Sequence, residues 1–259
     1  MIYPKYLRLT CALVALVVVG CATAQSTPAP SISNVQPTLV PSTPTVRATS
    51  SAPTESNTVS APTTSAPATL VSPASSAGEQ WNFENDAVGG SPKGAEVFSG
   101  AWIVRAETDA PSKPNAVCQT STATYPAMSL ASVAYTDLVA SVRFKPISGN
   151  TDRAAGIIFR IQDKDNYYIV RANALEDNVI IFKYVRGSRS TIKEGAGKVA
   201  TGQWQELSVE VSGNRIRGLL NGAAVVEATD DTFKLAGKIG LWTKADSVTC
   251  FDNVQVTGR

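Results

Sequence analysis

The chain has 259 residues, 43% of them hydrophobic and 17% charged, with 23 lysines and arginines against 21 aspartates and glutamates and no histidine. A net charge of +2 with no basic run lacks the electrostatic footprint of a nucleic-acid binder, so that class is excluded. The missing histidine also excludes Ser-His-Asp and Cys-His catalysis and every histidine-bearing metal site, leaving carboxylates to carry any acid-base work.

At the start of the chain, Lys5 and Arg8 precede an apolar run over 13–19 and then Gly20 and Cys21, the layout of a secretory signal peptide. The run is too short to span a bilayer. Val18, Val19, Gly20 and Cys21 resemble a bacterial lipobox, with valine in place of the commoner leucine, and predict lipidation at Cys21 and anchoring outside the cytoplasm at the cell envelope. Ala22, Thr23 and Ala24 fit ordinary signal-peptidase cleavage as well, which would release a secreted protein. Once the leader is removed, Arg47 and Glu55 cancel and the remaining chain is close to neutral.

Residues 22–78 are mostly Ser, Thr, Pro and Ala, hold nine of the fifteen prolines, and contain no aromatic residue. Such a segment has nothing from which to build a core and reads as a disordered linker, with a reach of roughly 40 Å on flexible-chain scaling. A glycosylated stalk has the same composition.

From residue 79 to 259 the composition turns to aliphatic and aromatic residues, with all four tryptophans, and makes one domain. Leu138, Ala140, Val142 and Phe144 alternate with polar neighbours, as do Leu207, Val209 and Val211, predicting half-buried strands. Turn chemistry falls at Asp163 to Asn166, at Arg186, Gly187 and Ser188, at Ser212, Gly213 and Asn214, and at Asn221 and Gly222. Roughly a dozen short strands with no amphipathic helix predict an all-β, two-sheet antiparallel sandwich of the jelly-roll kind. Cys118 and Cys250 are the two cysteines of this domain, and export favours a disulfide between them, while two buried thiols fit the same sequence.

The stretches 152–184, 202–222 and 230–256, together with the opening WNFENDAVGGSP and the closing FDNV, resemble the concanavalin A-like 3-keto-disaccharide hydrolase-type domain, often labelled family 16 glycoside hydrolase-like. The resemblance implies a jelly roll and a glycan or glycoside ligand, with cleavage of 3-keto-glycosides in some members. True family 16 glucanases carry Glu-x-Asp-x-Glu on one strand; here Glu206, Ser208 and Glu210 stand in that pattern with serine at the aspartate position, and a wetted strand face explains them equally. Retaining chemistry wants carboxyls about 5 Å apart, whereas alternate residues of a strand are about 6.7 Å apart.

A keto-sugar route is less demanding, because a ketone acidifies the neighbouring proton and one base with an oxyanion stabiliser can begin elimination. Glu176 or Asp177 is the candidate base, and Arg143, Arg160, Arg171 or Lys244 the candidate stabiliser. With Ile157, Phe159 and Ile161 inward, Arg160 and Gln162 face outward, as do Arg171 and Asn173 opposite Val170 and Ala172, so the arginines could share a sheet face or make ordinary cross-strand pairs.

Trp242, beside Lys244 and Asp246, is read either as a sugar-stacking platform or as core, while Trp81, Trp102 and Trp204 are assigned to packing. Glu84 and Asp252 could meet near the chain ends to hold structural calcium through oxygens, although turn-capping explains the same residues; a catalytic divalent metal is a further possibility. Three readings stay open: a carbohydrate-binding module, a 3-keto-glycoside hydrolase or lyase, and an envelope adhesion domain that binds protein. A monomer that meets a membrane only through its lipid anchor is expected.

Overall fold

A computed structural model describes residues 78–259; the leader, Cys21 and residues 22–77 of the expected linker lie outside the described residues. The described chain folds into fifteen strands with no helix: β1 (Gly78–Trp81), β2 (Glu96–Ser99), β3 (Trp102–Ala106), β4 (Asn115–Gln119), β5 (Ala127–Ser129), β6 (Leu138–Ser148), β7 (Ala154–Asp163) and β8 (Asn166–Asn173). There follow β9 (Asn178–Val185), β10 (Ser188–Ala196), β11 (Gln205–Ser212), β12 (Arg215–Leu220), β13 (Ala223–Thr229), β14 (Lys238–Trp242) and β15 (Val248–Gly258). The first sheet runs β13-β12-β11-β6-β15-β4-β3 with β1 paired to β15, and the second runs β10-β9-β8-β7-β14-β5-β2. The all-β antiparallel sandwich expected from the alternation is the fold observed.

The four turns fall where their chemistry placed them, between β7 and β8, β9 and β10, β11 and β12, and β12 and β13. At the last, Asn221 and Gly222 both adopt positive φ, 50° and 79°, the backbone that a two-residue hairpin demands. Between the sheets, Leu138, Ala140, Val142 and Phe144 of β6 and Leu207, Val209 and Val211 of β11 join Ile157, Phe159, Val170, Ala172 and Phe251 in one apolar layer. Trp102 belongs to that layer and Trp81 packs on its edge. Removing a large side chain such as Phe144 from it costs about 3–5 kcal/mol.

The alternation on β7 breaks at Arg160. This residue has φ 47°, and the pairing with β8 shifts register between Phe159 and Asp163, so the phase resets. Ile161 consequently packs with the outer apolar group of the second sheet rather than inward as expected. Cys118 and Cys250 sit opposite one another on β4 and β15 and are joined in a disulfide on the outer face of the first sheet, where Ala110 and Trp204 cover them.

Candidate functional site

The outer face of the second sheet is not the charged, wetted surface usual for an antiparallel sandwich. Ile158, Tyr167, Ile169, Ile180, Phe182 and Trp242 form a second apolar group there, fringed by Phe98, Tyr125 and Tyr184. Gly156 on β7 allows this. A Cβ at that position would lie 3.3 Å from the Trp242 ring, so glycine leaves the indole room to lie flat in the sheet surface. Tyr125 then stacks on Trp242 with ring centroids 5.7 Å apart.

At one end of this face a cavity of about 580 Å³ opens over Ile180 and Phe182, lined also by Arg171, Glu176, Asn178, Arg189, Thr191, Glu194 and Lys244. Strand pairing assembles it. Arg171 on β8 lies across from Ile180 on β9, and Thr191 and Glu194 on β10 lie across from Phe182 and Ile180. The short turn after β8 brings Glu176 back toward its own strand, so that Arg171 Nη1 and Nη2 each donate to Glu176 Oε2 at 2.9 Å.

The polar groups form one chain of contacts. Arg171 Nη2 donates to Asn178 Oδ1 at 3.0 Å, and Asn178 Nδ2 donates to Glu194 Oε1 at 2.7 Å and to Glu176 Oε2 at 3.2 Å. Beneath them the fully buried Asp152 pairs with Lys244 Nζ at 2.7 Å and Arg171 Nη1 at 3.8 Å. The Arg171 guanidinium stacks on Phe182 at 5.5 Å and that of Arg189 at 4.3 Å, which holds two cations over one apolar floor.

Arg171 is only 2% exposed, and burial pulls its pKa down against the opposing pull of Glu176 and Asp152. Arginine nevertheless stays charged at any working pH. Partial burial disfavours the charged form of Glu176, but the charge and hydrogen bonds of Arg171, with Asn178 and Lys244, prevail and hold its carboxyl below the ordinary glutamate range. Glu176 is therefore a fixed anion with its side chain 45% exposed, placed to accept hydrogen bonds.

A model of the 3-keto-alpha-glucoside-1,2-lyase-like domain matches residues 101–257, nearly all of the sandwich. The chain belongs to this family. A levanase of Bacillus subtilis (strain 168) is 33% identical over 110 residues, 41% of this chain, and the chain spans only 16% of that enzyme's length. Among solved structures, the carbohydrate binding module CBM66 from Bacillus subtilis superposes with a TM-score of 0.54 at 24% identity, covering 62% of this chain and 94% of the module, and shares its fold.

Within this lyase-like domain the residues singled out by sequence fall into separate places. Arg171, Glu176 and Lys244 meet in the cavity. Asn173 is fully buried below it, donating to Asp152 Oδ1 at 2.9 Å while its own Oδ1 accepts from the Leu175 amide at 3.0 Å, so it builds the turn and does not line the cavity. Asp177 turns away: its carboxylate meets Lys198 Nζ at 2.7 Å and the Val199 amide at 3.1 Å, because its positive φ of 50° swings it to the far side of the turn. The chain places only Glu176 of that pair at the site.

Arg160 is likewise removed from the Arg171 face. Its guanidinium donates to the carbonyls of Thr136, Phe233 and Gly213 at 2.9, 2.8 and 2.6 Å, tying loops together, because the break in β7 redirects it. Arg143 lies on β6 of the other sheet and reaches the carbonyl of Trp204 at 3.5 Å. Trp242 is 0% exposed, so it cannot be a stacking platform and instead supports Tyr125. Asp246 accepts from the amides of Asn150, Thr151 and Asp152 at 2.7, 3.0 and 3.0 Å, which brings its pKa to about 2 and shapes the loop that presents Asp152.

Glu206 and Glu210 lie on β11 in the first sheet, Glu210 paired with Arg217 at 2.6 Å, the wetted-strand reading of that pattern. Glu84 and Asp252 lie near one another on the outer side of the first sheet, where burial, reinforced by the charge of Glu84, pushes the Asp252 carboxyl up. Sequence reasoning missed Asp152, Ile180, Phe182, Arg189, Thr191 and Glu194. The even-numbered residues from Asn178 to Phe182 share one strand face with the cavity, and that alternation was the available signal.

Proposed function

We propose that the domain is a carbohydrate-binding module that holds a sugar over Ile180 and Phe182 on the outer face of the second sheet. The observation that carries this is the ring of cations, carboxylates and one amide around an apolar floor. A sugar ring offers hydroxyls that both donate and accept, and a C–H face that prefers an apolar surface. Glu176 and Glu194 accept from hydroxyls, Arg189 and Lys244 donate to them, and Phe182, buried beneath the Arg189 guanidinium, supports the cations from below. Arg171 and Asn178 hold the two carboxylates in place and so reduce what must be ordered on binding. The similarity to the levanase makes levan-type fructan the first glycan to test.

The contacts that hold the Glu176 carboxyl below the ordinary glutamate range make it a weaker base and leave it placed to accept hydrogen bonds. Binding without turnover is therefore the expected behaviour. Incubating the protein with levan, other polysaccharides and 3-keto-disaccharides, with and without divalent metal, while following binding and free sugar, tests the reading. Saturable binding with no sugar release supports it; release that Glu176→Gln abolishes would replace it with the hydrolase or lyase reading. Lipidation at Cys21, supported by the Lys5 and Arg8 leader and the Val18 to Cys21 pattern, would display the module on the envelope. Labelling with a radioactive fatty acid that disappears in Cys21→Ala is the check.

A further inference from the structure

The register of the second sheet carries its outer face past the first cavity. On β8 and β9 the outward pairs follow one another as Arg171 with Ile180, Ile169 with Phe182 and Tyr167 with Tyr184. The last pair is four residues from the first, about 13 Å along the strands. There a second cavity of about 470 Å³ opens, with Tyr167 at its floor, Phe98, Tyr125 and Tyr184 around it, and Lys164 and Asp165 at its rim. Its walls are fixed by the backbone. The Gly187 amide donates to the Asp165 carbonyl at 3.2 Å and the Arg186 amide to Asn166 Oδ1 at 3.0 Å, joining the turn after β7 to the turn after β9. On the other side, the Thr243 amide donates to the Pro126 carbonyl at 2.9 Å and the Ala123 amide to the Ala245 carbonyl at 3.2 Å, which holds the loop bearing Tyr125.

One side chain stands between the two cavities. The Arg189 guanidinium, on the wall of the first, lies 4.3 Å from the Phe182 ring centre and 5.0 Å from that of Tyr125, which lines the second. Tyr125 meets Tyr184 edge-on with centroids 5.6 Å apart, and Tyr184 packs on Tyr167 at 4.9 Å. Tyr167 is buried and belongs to the fold. Tyr125 and Tyr184 are only half-buried, and among the described residues neither phenol hydroxyl has a hydrogen-bond partner. Lys164 Nζ pairs with Asp165 Oδ2 at 2.6 Å, and both side chains stay open to solvent. Half-exposed aromatic rings with free hydroxyls, beside a cation and a carboxylate, match a sugar's C–H face and its hydroxyls. We propose that this second cavity is a further sugar subsite, so that the face recognises at least two consecutive units of a glycan chain. The proposal rests on the carbohydrate reading of the first cavity and extends it. Arg189 borders both subsites and lies where the linkage between two units would cross.

The test is calorimetric titration of the full chain with fructose, with short levan oligosaccharides of increasing length, and with levan. Affinity should rise about tenfold from fructose to the oligosaccharides, the increment expected of one aromatic contact with its hydrogen bonds. Tyr184→Ala should lose that increment on the oligosaccharides and bind fructose as the parent does, because Tyr184 does not line the first cavity. Tyr184→Phe and Lys164→Ala, which remove only a hydroxyl and an exposed amine, should each weaken the oligosaccharides about threefold. They carry the test if Tyr184→Ala fails to fold. Affinity that does not change with chain length, or variants that bind every ligand as the parent does, would overturn the second subsite and leave the first. Equal losses of fructose and oligosaccharide in the variants would overturn it too, since these residues would then act through the fold. No binding of any of these ligands by the parent would instead bring down the fructan reading of the first cavity, and the subsite with it.

Discussion

The outer faces of the two sheets use the same residue types to opposite ends. On the first sheet, Arg215 and Arg217 pair with Glu227 and Glu210 across neighbouring strands, and the arginine side chains stay 54% and 30% exposed. Those pairs are at least partly open to water. On the second sheet Arg171 is buried, stacked on Phe182, and shared among Glu176, Asn178 and Asp152. Exposed pairs are worth little, whereas a buried cation must be fully compensated and therefore fixes its neighbours. That contrast separates an ordinary strand face from a site that is organised before its ligand arrives.

The largest effect that breaks the contrast is expected from Arg171→Ala. Glu176 and Asn178 lose their shared partner and Asp152 keeps only Lys244 and Asn173, so urea unfolding should show a loss of about 3–5 kcal/mol and glycan binding should vanish. Reducing the disulfide on the other face, or replacing Cys118 and Cys250 by Ala, should cost about 3–4 kcal/mol, since the bridge closes a span of 132 residues. Glycan affinity, measured where that variant is still folded, should be unchanged.

A smaller effect follows from acid. Burial works against ionisation of Asp230, but Lys183, Thr232 and Tyr168 overcome it and lower its pKa from 3.8 to about 2. The unfolded chain thus binds this proton more readily than the folded one. The stabilisation is complete above about pH 4 and is lost as pH falls toward 2, amounting to about 1 kcal/mol after solvent screening. Asp230→Asn should flatten that part of the stability profile in acid titrations. Glu176 follows the same sign, so glycan affinity should be level above pH 5 and fall only below the ordinary glutamate range. Glu194→Gln should weaken binding about fivefold with stability intact, as loss of one charge-assisted hydrogen bond predicts. Arg217→Ala, on the other face, should change stability by less than about 1 kcal/mol and binding not at all.

The strands and turns were legible because their signals are local: β6 and β11 alternate cleanly, and Asn221 with Gly222 specifies its own backbone. Arg171 was legible as a residue opposite Val170 and Ala172, which do face the core. Arg160 was not, because a single left-handed residue on β7 resets the phase of everything near it, and no composition cue announces such a break. Asp177 was misplaced for a similar reason, since adjacent residues in a tight turn point to opposite sides. The contribution of β10 was hidden as well. Its pairing with β9 slips between Thr191 and Lys193, so Glu194 reaches Asn178 only through a register that sequence spacing does not reveal. Asp152 was hidden by distance, reaching Lys244 only once β7 and β14 pair.

On the proposed reading, glycan recognition belongs to the Phe182 face alone. Titration calorimetry with levan on the parent, Phe182→Ala and Arg217→Ala measures it most directly. Saturable binding in the parent and in Arg217→Ala, with loss in Phe182→Ala while that variant remains folded by circular dichroism, is the predicted result. Binding that survives unchanged in Phe182→Ala, or that Arg217→Ala abolishes, would contradict it.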